Sequence, residues 1–287
     1  MTRGVDEPGR GVPVGPLALF VAGALSLHLG SAFAVLLFDE VAAASVAWVR
    51  VLVAAVVLLA WRRPWRPGRR ALGRWDRRRL VLVVVFGTDL ALMNTFFYLA
   101  IDRLPVGTVV AVEFLGPLTV AAVASRGVRE VASLLLAVVG VLLLADVRLV
   151  AEPAGTALAL AAATCWGVYV VLGARVARGG DGVDALAVGS AAGAVLLAPV
   201  LLPGALPAAT DLRLAAACLA VGVASSAVPY AVDQVVLRRV TTSTFAVLQA
   251  LLPATATLAA LVVLAQVPAA LEAVGIALVA VAVALRR

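Results

Sequence analysis

The stretch PVGTVVAVEFLGPLTVAAVASR, residues 105–126, is apolar over the length of a membrane span and carries one carboxylate, Glu113, with a proline four residues later. Pro117 has no backbone N–H, so the carbonyl that loses its helical partner is that of residue i−4, which is Glu113 itself. One turn therefore presents a side-chain carboxyl and a freed backbone oxygen at the same depth. Water would satisfy both groups in a soluble protein. Hydrocarbon would not, so the fold or a ligand must supply partners, and the stretch reads as a binding site.

The composition of the whole chain supports that setting. Of 287 residues, 64% are hydrophobic and 14% charged, and the mean hydropathy is +1.11. An ordinary globular domain is roughly half apolar and about a quarter charged, and none could bury so much apolar surface. The net charge of +7 does not point to nucleic acid. All 23 basic residues are arginines, and most sit in short segments between apolar runs, where they act as topology signals. Cys165 and Cys218 fall inside apolar runs without metal-ligand spacing and read as free buried thiols. No metal site and no cofactor is expected.

Ten apolar segments of spanning length can be drawn: 16–37, 42–61, 80–100, 105–125, 131–149, 155–174, 185–202, 214–236, 241–264 and 268–285. The first is as long as a full span and lacks a cleavage-site pattern, so it is read as a helix of the mature protein, not as a signal peptide. Residues 62–79 hold nine arginines and one aspartate, which marks a cytoplasmic loop suited to lie on anionic lipid. With that loop inside, alternation puts nineteen arginines on one side and Arg103, Arg148 and Arg213 on the other. Both termini are then cytoplasmic.

The chain also repeats itself. GPLALFVAGALSL from Gly15 is similar to GTALALAAATCWG from Gly155, and EFLGPLTVAAV from Glu113 to QALLPATATLAAL from Gln249, which superposes Pro117 on Pro253. Pro253 frees the carbonyl of Gln249 as Pro117 frees that of Glu113. Five spans is an odd number, so a second copy enters the membrane from the opposite side. The expected fold is an all-α polytopic membrane protein of ten helices in two inverted five-helix repeats, the plan of secondary transporters with a solute site at mid-membrane. The expected divisions are a cytoplasmic tail at 1–15, a first repeat at 16–149 containing the basic loop, and a second repeat at 150–287.

Several motifs make the resemblance specific: SLHLGS (26–31), MNTFFYLAI (93–101), AVEFLGPL (111–118), CWGVYVVL (165–172), PYAVDQ (229–234) and TTSTF (241–245), with Arg50 in the second span. On these the chain resembles the drug/metabolite transporter superfamily, specifically the EamA-type permeases, and within them the inner-membrane threonine and homoserine exporters. The resemblance covers nearly the whole chain and implies proton-driven efflux of a small amino acid across the cytoplasmic membrane. Members often carry a second histidine after the position of His28 and a glutamate before the proline of the ninth span, where this chain has Leu29 and Leu252.

The intramembrane polar residues each admit two readings. Arg50, Asp89 and Glu113 lie about nine or ten residues into their spans, near mid-membrane at roughly 1.5 Å per residue, and are expected to share one polar pocket. Either they form a structural ion-pair cluster, or Arg50 offsets one acid and leaves the other, Glu113 by choice, to carry protons. His28 either titrates or binds a carboxylate, or is a buried hydrogen-bonding residue. Asn94 and Tyr98, four apart, either recognise the solute or join helices. Trp166 and Tyr169 wall a cavity or simply pack. Gln249 adds polarity to the ninth span, and Asp233 beside Arg238 is either a cytoplasmic gate or a solvated pair.

The expected partners are a small solute, protons and membrane lipids, with no nucleic acid and a monomeric or homodimeric state. Alternative readings are a permease for another metabolite or a drug-like cation, and a membrane-embedded lipid-modifying enzyme. The enzyme would need acidic or histidine groups near the membrane surface, whereas the acids here lie at mid-depth.

Overall fold

The structure is a computed structural model and describes residues 14–35, 37–66, 71–104, 106–125, 127–144, 152–252, 254–255 and 270–285. Residues 1–13, Pro253 and residues 256–264 of the expected ninth span lie outside the described residues. In chain order the helices are α1 (Val14–Val35), α2 (Ala43–Arg62), the single turn α3 (Ala71–Arg74), α4 (Arg77–Ile101), α5 (Val106–Glu113), α6 (Leu115–Ala124), α7 (Val128–Leu144), α8 (Pro153–Arg178), α9 (Gly182–Thr210), α10 (Leu212–Gly222), α11 (Val228–Leu237), α12 (Thr242–Leu248) and α13 (Ala270–Leu285). A π-helical turn, Val223–Ala227, joins α10 to α11. Six helical stretches among the described residues are long and apolar enough to cross a membrane: α1, α2, α4, α8, α9 and the continuous Leu212–Leu237.

Polar residues in the short connections begin these helices. Asp76 accepts from the Arg79 N–H at 2.7 Å, Asp211 from Arg213 at 2.7 Å and Thr241 from Thr244 at 3.1 Å. Glu152 caps α8 through Gly155, with Pro153 in the first turn where no N–H is needed. At the other end of α2, Arg63 turns left-handed at φ 48° and stops the helix.

Packing between helices relies on close backbone approach and on hydroxyl or indole donors, as expected where lipid gives no hydrophobic drive. The tightest seam is α4 against α9. A Cβ at Gly87 would lie 1.8 Å from the Gly189 carbonyl oxygen, so the two backbones touch with no side chain between them. α2 is bound to α9 by Ser45 Oγ to Leu201 O (2.9 Å) and Trp48 Nε1 to Ala194 O (2.7 Å). Ser133 of α7 donates to Ala282 O of α13 at 2.8 Å, and Ser26 of α1 to Ala224 O at 2.7 Å. α4 also packs along α8, α1 along α11, and α6 on α8.

Ion pairs mark the two ends of the bundle. At the arginine-rich end, Arg62 closing α2 forks onto Asp184 of α9, with Nε–Oδ1 at 2.6 Å. Beside it, Arg79 of α4 pairs with Asp181, whose second oxygen accepts from Trp75 Nε1 at 2.5 Å. At the opposite end, Arg213 at the start of α10 pairs with Glu40 in the α1–α2 connection at 2.5 Å.

The bare seam gives a direct test. Gly87→Ala places a methyl group inside the α9 backbone and is expected to cost about 1–3 kcal/mol, a fall in Tm of several degrees. Gly15→Ala, with nothing within 4 Å of the added atom, should leave Tm unchanged. Thermal unfolding of both variants in detergent checks it.

Candidate functional site

The interruption between α5 and α6 falls at Phe114, one residue after Glu113, where Pro117 predicts it. Gly116 allows the close approach beneath it, because a Cβ there would sit 2.0 Å from Ala163 O of α8. Phe114 is thereby brought edge-on to Trp166, with centroids 6.2 Å apart. Above this contact lies a cavity of about 360 Å³ lined by α1, α2, α4, α5, α8, α11 and the segment after α12. A larger groove of about 460 Å³ between α6 and α8 is lined by Leu, Val, Ala, Gly and Thr alone, so it offers no charge chemistry.

The first cavity collects polar groups at one depth. His28, Arg50, Asn94 and Glu113 each lie seven residues in from the same end of the bundle, counted from Val35, Ala43, Ile101 and Val106. At 1.5 Å per residue that is about 10 Å below the helix ends. Tyr98, Trp166, Tyr169, Gln249 and Asp233 also line the wall. His28, Asn94, Tyr98, Glu113, Trp166, Tyr169 and Gln249, the candidate solute-binding residues of the sequence, thus face one space.

Their partners are specific. Arg50, 3% exposed, donates from Nε to Ser226 Oγ (3.3 Å), from Nη2 to the Ser225 carbonyl (2.8 Å) and from Nη1 to the Tyr98 hydroxyl, with its guanidinium carbon 5.0 Å from the Tyr98 ring centre. Ser225 is residue i−4 to Pro229, so its carbonyl is free for the same reason as that of Glu113. Asn94 Nδ2 donates to Leu90 O (2.8 Å) and to the Tyr230 hydroxyl (3.0 Å), which lies 3.2 Å from Asn94 Oδ1. His28 Nε2 lies 3.1 Å from Thr255 Oγ1, whose own proton goes to Leu252 O at 2.9 Å. Glu113 is 9% exposed and has neither a hydrogen bond nor an ion pair among the described residues.

Three placements differ from the sequence expectation. Arg50 meets hydroxyls and a carbonyl, and no described carboxylate lies within ion-pair distance of it. Asp89 stands apart from the cavity, beside the Cys165 thiol on α8, with Oδ2 buried and unpartnered. Asp233 does not face Arg238, which is exposed; its Oδ2 accepts from the Tyr169 hydroxyl at 2.8 Å, and Tyr169 stacks on Phe86. Sequence reasoning missed Tyr230, Ser225 and Ser226 as wall and support. Pro229 was the available signal, because its i−4 carbonyl follows from the same rule. No group of three or more His, Cys, Asp or Glu able to hold a metal ion occurs among the described residues.

A buried, aromatic-walled cavity with charge at mid-depth in a polytopic helical membrane protein defines a solute transporter rather than an enzyme, and the relatives agree. The EamA-like transporter family matches residues 153–286. The threonine/homoserine exporter RhtA of Escherichia coli (strain K12) is 33% identical over 258 residues, covering 88% of this chain and 84% of the relative. RhtA of Salmonella typhimurium (strain LT2) is 33% identical over 255 residues with the same coverage. A solved crystal structure covering 94% of this chain and 96% of its own matches with TM-score 0.72 at 20% identity, a likeness of fold. The chain belongs to the EamA-like transporter family.

The Asn94–Tyr230 pair should be measurable as coupling. Asn94→Ala strands a buried hydroxyl and is expected to cost about 1–3 kcal/mol, Tyr230→Phe less, and the double-mutant cycle should return about 1 kcal/mol of interaction in equilibrium unfolding.

Proposed function

We propose that the protein exports a small amino acid, of the threonine or homoserine kind, across the cytoplasmic membrane in exchange for protons, by alternating access. The observation that carries this reading is the buried cavity in which a carboxyl without a partner among the described residues, Glu113, shares a depth with a guanidinium, Arg50. The RhtA relatives, which are threonine/homoserine exporters, support the choice of solute. A carboxyl held out of water at mid-membrane is a natural proton carrier, and Glu113 takes that role here, with Arg50 fixing the local charge. Asp89, off the cavity, serves as a second buried acid.

The ten-helix plan with inverted repeats at 16–149 and 150–287 belongs to the same proposal, as do the break points Pro117 and Pro253. It draws support from the way contacts recur when each helix is exchanged for its counterpart five spans away. α2 on α9 and α7 on α13 map onto themselves, α4 on α8 maps onto α11 on α1, and α4 on α9 maps onto α10 on α2. The arginine-rich end, with Arg62, Arg79, Arg178 and Arg238, is taken as cytoplasmic by the positive-inside rule, which places both termini inside. Asp233 and Tyr169 close the cavity toward that side and act as its gate.

Counterflow in proteoliposomes tests the reading. Labelled threonine, homoserine, serine and a quaternary amine are offered with and without an imposed pH gradient, to wild type and Glu113→Gln. Threonine or homoserine is expected to exchange and to accelerate with the gradient in wild type, and the gradient response should vanish in the variant. Movement of the amine alone would overturn the solute class, and no movement in vesicles of verified, folded protein would overturn the transport cycle proposed here.

A further inference from the structure

Arg50 has more donors than the protein uses. A guanidinium carries five N–H groups. One on Nε goes to Ser226, one on Nη1 to the Tyr98 hydroxyl and one on Nη2 to the Ser225 carbonyl, which leaves one on each terminal nitrogen. The Tyr98 hydroxyl accepts a hydrogen bond from Arg50, while its own O–H finds no acceptor among the described residues. Both side chains line the cavity, and both are almost wholly buried, at 3% and 2% exposure.

Such a cluster is a donor-only site with a full positive charge and no described counter-ion. Paired N–H groups of one guanidinium match the two oxygens of a carboxylate, and the rigid fork is already held in place by three bonds before any solute arrives. On α5 at the same depth stands the Glu113 carboxyl, without a partner among the described residues. The wall therefore complements a molecule with an anionic and a cationic end. A simple cation would meet Arg50 unshielded, and a simple anion would leave Glu113 buried and unmatched.

We propose that Arg50 and Tyr98 form the receptor for the carboxylate of a zwitterionic solute, with Glu113 facing its ammonium group, and that this receptor excludes amines. The proposal rests on the amino-acid reading above and adds which end of the solute binds where.

Three ligands of one skeleton separate the poles: threonine, 1-amino-2-propanol, which lacks the carboxylate, and 3-hydroxybutanoate, which lacks the ammonium. Binding is measured by calorimetry on the full chain in nanodiscs. In wild type, threonine is expected to bind about 10- to 100-fold more tightly than the amino alcohol, the range of one or two charge-assisted hydrogen bonds. Arg50→Gln should weaken threonine and, by removing the unshielded positive charge, tighten the amino alcohol until the two bind alike, and Arg50→Lys should restore part of the difference. Tyr98→Phe, which keeps the ring, should weaken threonine about 5- to 10-fold and spare the amino alcohol; it decides the matter if Arg50→Gln does not fold. Equal affinity of wild type for threonine and the amino alcohol overturns the receptor and leaves the exporter standing. Failure of wild type to bind any of the three overturns both.

Discussion

A guanidinium stays in an apolar interior only where hydrogen-bond acceptors hold it, because the cost of stranding it is several kcal/mol. Here the solution is a backbone oxygen made available by a proline. Pro229 removes the N–H that would have bonded to Ser225 O, the π-turn Val223–Ala227 widens the helix at that level, and Arg50 reaches across from α2 to take the carbonyl and the Ser226 hydroxyl. Tyr98 joins from α4. Three helices far apart in sequence are thereby locked at one depth, and the cavity wall is built on that lock.

Much of this was visible before any coordinates. Long apolar runs interrupted by arginines mark the helices, and the proline rule locates the break after Glu113. Residues such as His28, Asn94 and Gln249 stand out because a polar group in a span needs a reason, and they do converge. What stayed hidden was pairing. Helical phase places a residue on a face but does not say which neighbour that face meets. Arg50 therefore looked like the partner of an acid, when its acceptors are uncharged atoms, two of them in a segment made about 175 residues later. Asp89 looked equivalent to Glu113 by depth, yet its side of α4 faces Cys165 and not the cavity. Asp233 stood beside arginines in sequence, but the turn of α11 carries it inward to Tyr169.

The cavity is closed unequally. Its lining runs to Ile101, the last residue of α4, at the end marked by Arg213–Glu40. Toward the arginine-rich end it stops at Phe20, which meets Phe245 edge-on at 5.9 Å, and at the Tyr169–Asp233 hydrogen bond. Beyond these come the Arg62–Asp184 and Arg79–Asp181 pairs. One side is thus sealed by aromatic packing and then, farther out, by ion pairs. The contact of Gly87 and Gly189 lies among these helices and has no interdigitated side chains.

The lock around Arg50 also sets a schedule for making the protein. When α2 enters the membrane during synthesis, Tyr98 is still 48 residues away and the Ser225 carbonyl 175 residues away. At about 5–20 residues per second the ribosome needs roughly 10–35 seconds to deliver that carbonyl. Through this interval the nascent α2 holds an arginine whose insertion into hydrocarbon costs about 3 kcal/mol on the translocon scale. The early helices therefore wait, near the insertion machinery or with Arg50 drawn toward the lipid headgroups, until the later ones arrive to receive the charge.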